Sequence, residues 1–328
     1  MGSARIVATG RYVPERCMTN EAFNERYGQD VGTFLEEQVG IKERHFAAED
    51  ELGSDLAANA GRQALERAGL DPEDVDLLIV ATDTPDYISP ATANVVQHKL
   101  GVGTAAGVFD LNNACAAYVT GLNTASKYLA TEPDRYRHAL VIGTYAMSKY
   151  VNWDDYKTAT IFADGAGATV LSASEEPGFL SSTMASDGQY HDYMGIYVGG
   201  TYQIPDESNL DDKHLVIAKR FPPELNATYW PRLIREVVDR ADRDVGDIDR
   251  VYFTQINVNT IKHVMGELEL PLERTHWIMD KWGYTGSACI PMALDDHIER
   301  GNGPQPGDFV VFCASGGGYA MAAAAFDW

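Results

Sequence analysis

The chain carries four thiols, Cys17, Cys115, Cys289 and Cys313, and one of them stands where thiol chemistry is expected. Asn112-Asn113-Ala114-Cys115-Ala116-Ala117-Tyr118 lies where an apolar strand, Val108 to Leu111, gives way to a run of small residues with helical character. A thiol at that junction faces the positive end of a helix dipole and unpaired backbone N–H groups, which lower its pKa and favour the thiolate. The flanking alanines let a substrate come close. A buried cysteine in an alanine-rich helix also serves as plain packing, so position rather than residue type singles out Cys115. Cys289 takes the corresponding place in the second half, deeper in its helix and ahead of Ile290-Pro291, while Cys17 and Cys313 fit loop and strand packing. The four are too scattered for a metal-ligand pattern, so no metal site is expected, and in a reducing compartment they should be free.

Two glycine runs accompany the thiol. Ser315-Gly316-Gly317-Gly318-Tyr319 follows the last strand but one. It suits either a tight hairpin or a loop whose backbone N–H groups point into a cavity, as an oxyanion hole for acyl transfer requires. Asp164-Gly165-Ala166-Gly167-Ala168 reads as a further glycine turn. It does not match a dinucleotide fingerprint, and no Walker sequence is present.

The elements that must position these groups alternate along the chain. Asp55 to Ala68 has helical periodicity and stops at Gly69; Val75 to Thr82 is a buried strand; a small-residue helix runs from about Cys115 to Leu129. Ala139 to Gly143 and Ala168 to Leu171 complete a first set of strands. The order then repeats: a helix from Leu225 to Ala241, a strand from Arg250 to Gln255, a helix from Thr285 to Arg300, and strands at Phe309 to Phe312 and Met321 to Phe326. Leu78 to Cys115 and Tyr252 to Cys289 are both 37 residues, which points to a duplicated α/β unit. The segment from Ser186 to Lys219 is an irregular insertion.

A formal charge of −22 disfavours nucleic acid and anionic membranes as partners. No apolar run approaches the ~20 residues needed to span a bilayer. Residues Met1 to Gly10 show no targeting pattern, so a cytoplasmic location is expected.

Several segments together resemble the ketoacyl-acyl carrier protein synthase III family from end to end. Gly40-Ile41-Lys42-Glu43-Arg44-His45 is similar to its early Gly-Ile-Arg-Glu-Arg turn, Asn113-Ala114-Cys115-Ala116 to its active-site segment, Phe162 to Ala168 to its Phe-Gly-Asp-Gly-Ala-Gly-Ala loop, and Gly316 to Tyr319 to its C-terminal glycine loop. The resemblance implies a thiolase fold, with duplicated βαβαβαββ halves (1–174 and 175–328) in a five-layered αβαβα arrangement. It implies a homodimer in which the strand following the nucleophile-bearing segment pairs across the dimer. Cys115 would be the acylated residue, with an oxyanion hole from the Cys115 and Gly317 N–H groups. No cofactor is implied; an acyl-coenzyme A or acyl-carrier-protein thioester is the substrate.

The family pattern breaks at several positions. Its His-Gln-Ala-Asn segment is here Thr254-Gln255-Ile256-Asn257, and its His-Gly-Asn-Thr segment is Trp282-Gly283-Tyr284-Thr285. Thr254 and Tyr284 therefore replace the histidine and asparagine that stabilise the malonyl enolate, and neither is a cation or base near neutral pH. Phe34 and Tyr156 stand where a tryptophan and an arginine hold the coenzyme A adenine. Asn259, Gly266 and Glu267 stand where a basic surface docks the carrier protein. Ser89, in a loop that reaches the partner's acyl tunnel, replaces a bulky aromatic. No histidine takes over: His98, His191 and His263 read as surface or packing residues, and Tyr284 is the better proton donor. These departures predict an acyltransferase of secondary metabolism that passes an acyl group through Cys115 to a second substrate without ordinary malonyl decarboxylation. A conventional synthase III is the alternative, and a silent partner subunit of a heterodimer is the third reading.

Overall fold

The computed structural model describes residues 2–209 and 212–328. In the first half, apolar strands and amphipathic helices form β1 (Ser3–Tyr12), β2 (Arg16–Thr19), α1 (Asn20–Tyr27), α2 (Gly32–Phe34), β3 (Glu43–Phe46), α3 (Gly53–Ala68), β4 (Leu77–Ala81), α4 (Thr92–Leu100), β5 (Gly107–Leu111), α5 (Ala117–Thr131), β6 (His138–Ala146), α6 (Tyr156–Ala159) and β7 (Asp164–Ser174). The second half adds β8 (Phe179–Ser186), β9 (Met194–Ile196), β10 (Leu215–Ile217), α7 (Leu225–Asp239), β11 (Arg250–Phe253), α8 (Val258–Glu267), α9 (Met279–Trp282), α10 (Cys289–Glu299), β12 (Phe309–Gly316) and β13 (Ala320–Asp327).

The first sheet has the order β1-β7-β6-β4-β5 and the second β8-β13-β12-β11. Each places an antiparallel pair beside parallel central strands, so the halves correspond strand for strand. The partner of β5 in the second half shrinks to one parallel bridge, Val251 to Thr275. This is a thiolase fold in five layers: α3 and α4 outside the first sheet, α5 and α10 between the sheets, α7 and α8 outside the second. Leu77 through Ala81 are buried at every position because β4 has strands on both edges and helices on both faces. Among the described residues no helix is long and apolar enough to cross a membrane.

Four local readings change. Asp164 to Ala168 is not a turn but the start of β7, paired throughout with β6 and from Ala166 onward with β1 as well. Its glycines serve close approach: a Cβ on Gly167 would lie 2.6 Å from the Met292 nitrogen and 2.7 Å from the Pro291 Cβ of α10. Cys289 is the first residue of α10, because the turn before it is a tight three-residue helix at Gly286–Ala288. The segment from Ser186 to Lys219 contains a two-stranded ribbon, β9 with β10. Finally, the strand that follows the candidate nucleophile, β6, is flanked by β7 and β4 and has no edge to offer a second copy. The open edge belongs to β5, which precedes Cys115.

The contact at Gly167 makes a quantitative expectation. Gly167→Ala should destabilise the protein by ~1–3 kcal/mol or more, since backbone on the facing helix must move. Gly188→Ala, whose Cβ meets nothing within 4 Å, should change stability by less than ~0.5 kcal/mol. Urea denaturation of the two variants checks the difference.

Candidate active site

β5 delivers the chain to the site. Leu111 pairs with Ala81, and the following turn is shaped by its own side chains. The Asn112 carboxamide oxygen accepts the Ala114 N–H at 3.0 Å, and Asn113 donates to the Thr120 hydroxyl at 2.9 Å, which donates to the Ala116 carbonyl at 2.9 Å. These bonds hold Ala114 at φ 46°, a left-handed conformation that costs an alanine energy and recurs where function demands a sharp turn. Cys115 is thereby set just before the first turn of α5. The glycine loop between β12 and β13 presses against it from the other half: a Cβ on Gly316 would sit 2.6 Å from the Cys115 nitrogen. The run is thus both hairpin and site wall.

Cys115, Asn226, Thr254, Ile256, Tyr284 and Gly317 line one cavity of about 260 Å³. Its described lining includes no charged side chain and no histidine. His98, His191 and His263 are on the surface.

The electrostatics reverse one expectation. Burial pushes the Cys115 thiol well above its usual pKa, and the negative charge of Asp83 adds to that; a hydrogen bond from Tyr284 acts in the opposite direction. The helix start alone does not make a thiolate here. Burial is also the main cause that raises Tyr284 well above an ordinary phenol, so its hydroxyl stays protonated. The ring is fixed between Tyr145 and Phe162, and its backbone bonds to Ile161 and Ala163. Asp83 is itself half-buried, with one carboxylate oxygen out of solvent and unpartnered, and desolvation raises its pKa to about 6. Cys289, also buried, is pushed up to about 12 by desolvation.

Thr254 is at the cavity wall, but its hydroxyl is committed to the backbone of β12. It donates to the Ser315 carbonyl at 3.3 Å and accepts the Ser315 N–H at 3.1 Å. Asn226 is the polar group the sequence did not flag. Its carboxamide oxygen accepts the hydroxyls of Ser315 at 2.9 Å and Tyr319 at 3.3 Å, which leaves Nδ2 as a donor for a ligand. Nothing local marks it, since it lies in the first turn of an ordinary amphipathic helix.

Other expected residues lie elsewhere. Asn257 is the N-cap of α8, accepting from Asn259 and Thr260, and its Nδ2 donates to the Gln38 carbonyl. Asn259 donates to the same carbonyl, and Glu267 pairs with Arg235. Phe34 and Tyr156 are 62% and 40% exposed, and Tyr156 packs edge-on against Tyr27. Ser89 is exposed in the loop after β4, next to Tyr87 and Ile88. A wider opening of about 900 Å³ adjoins the site through shared Ile217 and Phe221 and carries Lys157, Lys219 and Arg220 beside Asp155 and Asp212.

Comparison with known proteins agrees with this architecture. Residues 109–188 match the model of 3-oxoacyl-[acyl-carrier-protein] synthase III, and residues 238–328 match its C-terminal model. The beta-ketoacyl-[acyl-carrier-protein] synthase III of Alkalilimnicola ehrlichii is 36% identical, with 99% of each chain covered. Among solved structures, the Thermus thermophilus synthase III is 32% identical with a TM-score of 0.86 over 99% of both chains. The priming beta-ketosynthase of the R1128 polyketide pathway is 28% identical with a TM-score of 0.89, covering 98% of this chain and 95% of that one.

A raised thiol pKa means that the thiolate fraction of Cys115 is small at neutral pH and keeps growing above the ordinary thiol range. Alkylation of Cys115 by iodoacetamide, followed by peptide mass mapping, should therefore still be accelerating at pH 9. Tyr284→Phe removes the donor to sulfur and should slow alkylation at fixed pH by ~10-fold or more, since a hydrogen bond to a charged group is worth ~1.5–3 kcal/mol. A plateau near pH 7, or no effect of the variant, contradicts this picture.

Proposed function

This chain belongs to the 3-oxoacyl-acyl-carrier-protein synthase III family of condensing enzymes, acyltransferases in the broad sense, and from that premise we propose that it transfers an acyl group from a coenzyme A or carrier-protein thioester, through Cys115, to a second substrate without ordinary malonyl decarboxylation. The observation that carries this reading is the state of the two helper positions. The one proton of Thr254 goes to the Ser315 carbonyl, and the Tyr284 hydroxyl acts on the Cys115 sulfur, whose pKa it lowers.

In the first half-reaction the Cys115 sulfur attacks the thioester carbonyl, and the Cys115 and Gly317 N–H groups receive the developing oxyanion. The carbon–sulfur bond to the donor breaks, and the thiol proton ends on the departing thiol, so the exchange balances. Tyr284 holds the sulfur's charge as it forms. In the second half-reaction the acyl group passes to an acceptor that is already nucleophilic, with Asn226 Nδ2 as the donor that orients it. Malonyl decarboxylation needs a strong donor pair at the malonyl thioester oxygen, and each missing donor costs ~3–4 kcal/mol.

Lys157, Lys219 and Arg220 at the mouth support binding of the phosphate end of either donor. Likeness to a polyketide priming ketosynthase supports a place in secondary metabolism. The open edge of β5 and the exposed Tyr87 and Ile88 support a homodimer. The second reading, a conventional decarboxylating synthase, is favoured by the name of the 36% identical relative.

Two measurements separate these readings. Intact-mass and peptide analysis after incubation with a panel of acyl-coenzyme A thioesters should place the added mass on Cys115, and Cys115→Ala should abolish transfer. Carbon dioxide release from malonyl thioesters should be lower than in an ordinary family member by ~100-fold or more and should rise in Thr254→His/Tyr284→Asn. Wild-type condensation at rates ordinary for the family would overturn the proposal in favour of the conventional synthase.

A further inference from the structure

The outer face of the β2–β3 ribbon, remote in sequence from the site, gathers three groups of different chemistry. Cys17 lies directly across from His45 in the antiparallel register, and Glu43 follows on the same face two residues along β3. The alternation of the strand explains the grouping: Arg44 and Phe46 point inward and are fully buried, while Glu43 and His45 point outward and Cys17 is exposed. One donor atom from each of the three lies within 4.8 Å of the others.

We propose that Cys17, Glu43 and His45 form a binding site for one divalent ion of the zinc class. Zinc takes sulfur at about 2.3 Å and nitrogen or carboxylate oxygen at about 2.0–2.2 Å, so tetrahedral donors stand roughly 3.3–3.8 Å apart. Drawing the three atoms together by about 1 Å needs side-chain rotation only, because the strands are already paired. The ring of His45 is prepared for this role. Its Nδ1 meets the Pro14 carbonyl at 2.6 Å, and a carbonyl can only accept, so Nδ1 carries the proton and Nε2 offers its lone pair. A histidine held by a backbone carbonyl through its other nitrogen is the usual support of a metal ligand. A divalent ion replaces the thiol proton, which leaves to water, and sits between the Cys17 sulfur, the Glu43 carboxylate and the His45 ring.

Three protein ligands leave the fourth position to water on the exposed side. Soft thiolate and imidazole disfavour magnesium and calcium, whose ligands are oxygen. The reverse face of the same ribbon holds Arg44 against Asn20 and Thr160, and just before β3 the Lys42 backbone N–H donates to the Asp280 carbonyl ahead of Tyr284. Ion binding therefore pins the strand on which that platform rests.

Cobalt is the probe, because a thiolate ligand gives an intense near-ultraviolet charge-transfer band that imidazole and carboxylate do not. The metal-free full-length protein, reduced with a phosphine, is titrated with Co2+. One equivalent should produce the band together with the visible bands of tetrahedral cobalt, and one equivalent of Zn2+ should abolish them. Cys289 and Cys313 are buried and Cys115 lines the separate site cavity, so the Cys17→Ser variant assigns the band to Cys17. Cys17→Ser should lose it, His45→Gln should lose it or bind at least ~10-fold more weakly, and zinc should raise the melting temperature of wild type only. No thiolate band in wild type, a band that survives Cys17→Ser, or unchanged affinity in His45→Gln would each overturn the site.

Discussion

Two helices share one layer between two sheets, and that close approach sets the terms for everything else in the molecule. α5 and α10 can fit there only if the surfaces they meet are small. Gly167 of β7 meets Pro291 and Met292 of α10, and Ala322 and Ala324 of β13 line the central core. The duplication supplies both sheets with related geometry, so α5 follows directly from β5, α10 follows by way of α9 and the turn at Gly286–Ala288, and each begins near a cysteine. The first of these cysteines reaches a cavity lined from both halves; the second, Cys289, is only 1% exposed and belongs to the central core.

The same burial decides the chemistry of the thiol. A helix start stabilises a nearby anion by ~0.3–1 kcal/mol, at most ~2 kcal/mol when partly buried. Taking a charge out of water costs several kcal/mol. Burial wins, and Asp83 adds to it, so Cys115 is a thiol until something nearby compensates. Tyr284 is the compensation the fold offers: a neutral donor, itself kept protonated by burial, held in place by two rings and two backbone bonds. On the proposed reading, a group bound to that duty is not free to grip a second substrate. Thr254 is engaged for a different reason. The backbone of Ser315, at the point where β12 turns into the glycine loop, has both its N–H and its carbonyl satisfied by that one hydroxyl.

Much of this was legible in the residue order, and the exceptions share a cause. The strands and helices followed from periodicity because each has one face or both against a core. Cys115 and Gly316 to Gly317 were legible because a strand-to-helix junction and a glycine loop leave backbone donors free. Asp164 to Ala168 was misread as a turn since glycine marks both a bend and a close contact, and only the facing helix distinguishes them. The edge strand was misassigned because sheet order is a property of the whole half. Asn226 and the Cys17, Glu43, His45 group depend on partners brought from elsewhere: Ser315 and Tyr319 for the first, cross-strand pairing for the second. The direction of the Cys115 shift was missed because sequence shows the helix start but not the depth of burial.

Net charge illustrates the same distinction between the chain and a place on it. A molecule at −22 should repel an anionic thioester as a whole. At physiological salt, however, the field of an exposed charge decays over ~8 Å, so carboxylates on distant faces contribute little at the mouth of a cavity. What a phosphate meets there is local: Lys157, Lys219 and Arg220 against Asp155 and Asp212, with Lys219 also paired to Asp192. The local balance is near neutral where the molecule's is strongly negative, and contact distances favour the cations because their side chains can turn toward the ligand. On the proposed reading, the acidic surface then slows the encounter while the three cations at the mouth set the bound pose. A neutral cavity behind it, with a buried thiol and amide and phenol donors, is left to do chemistry that needs no charge of its own.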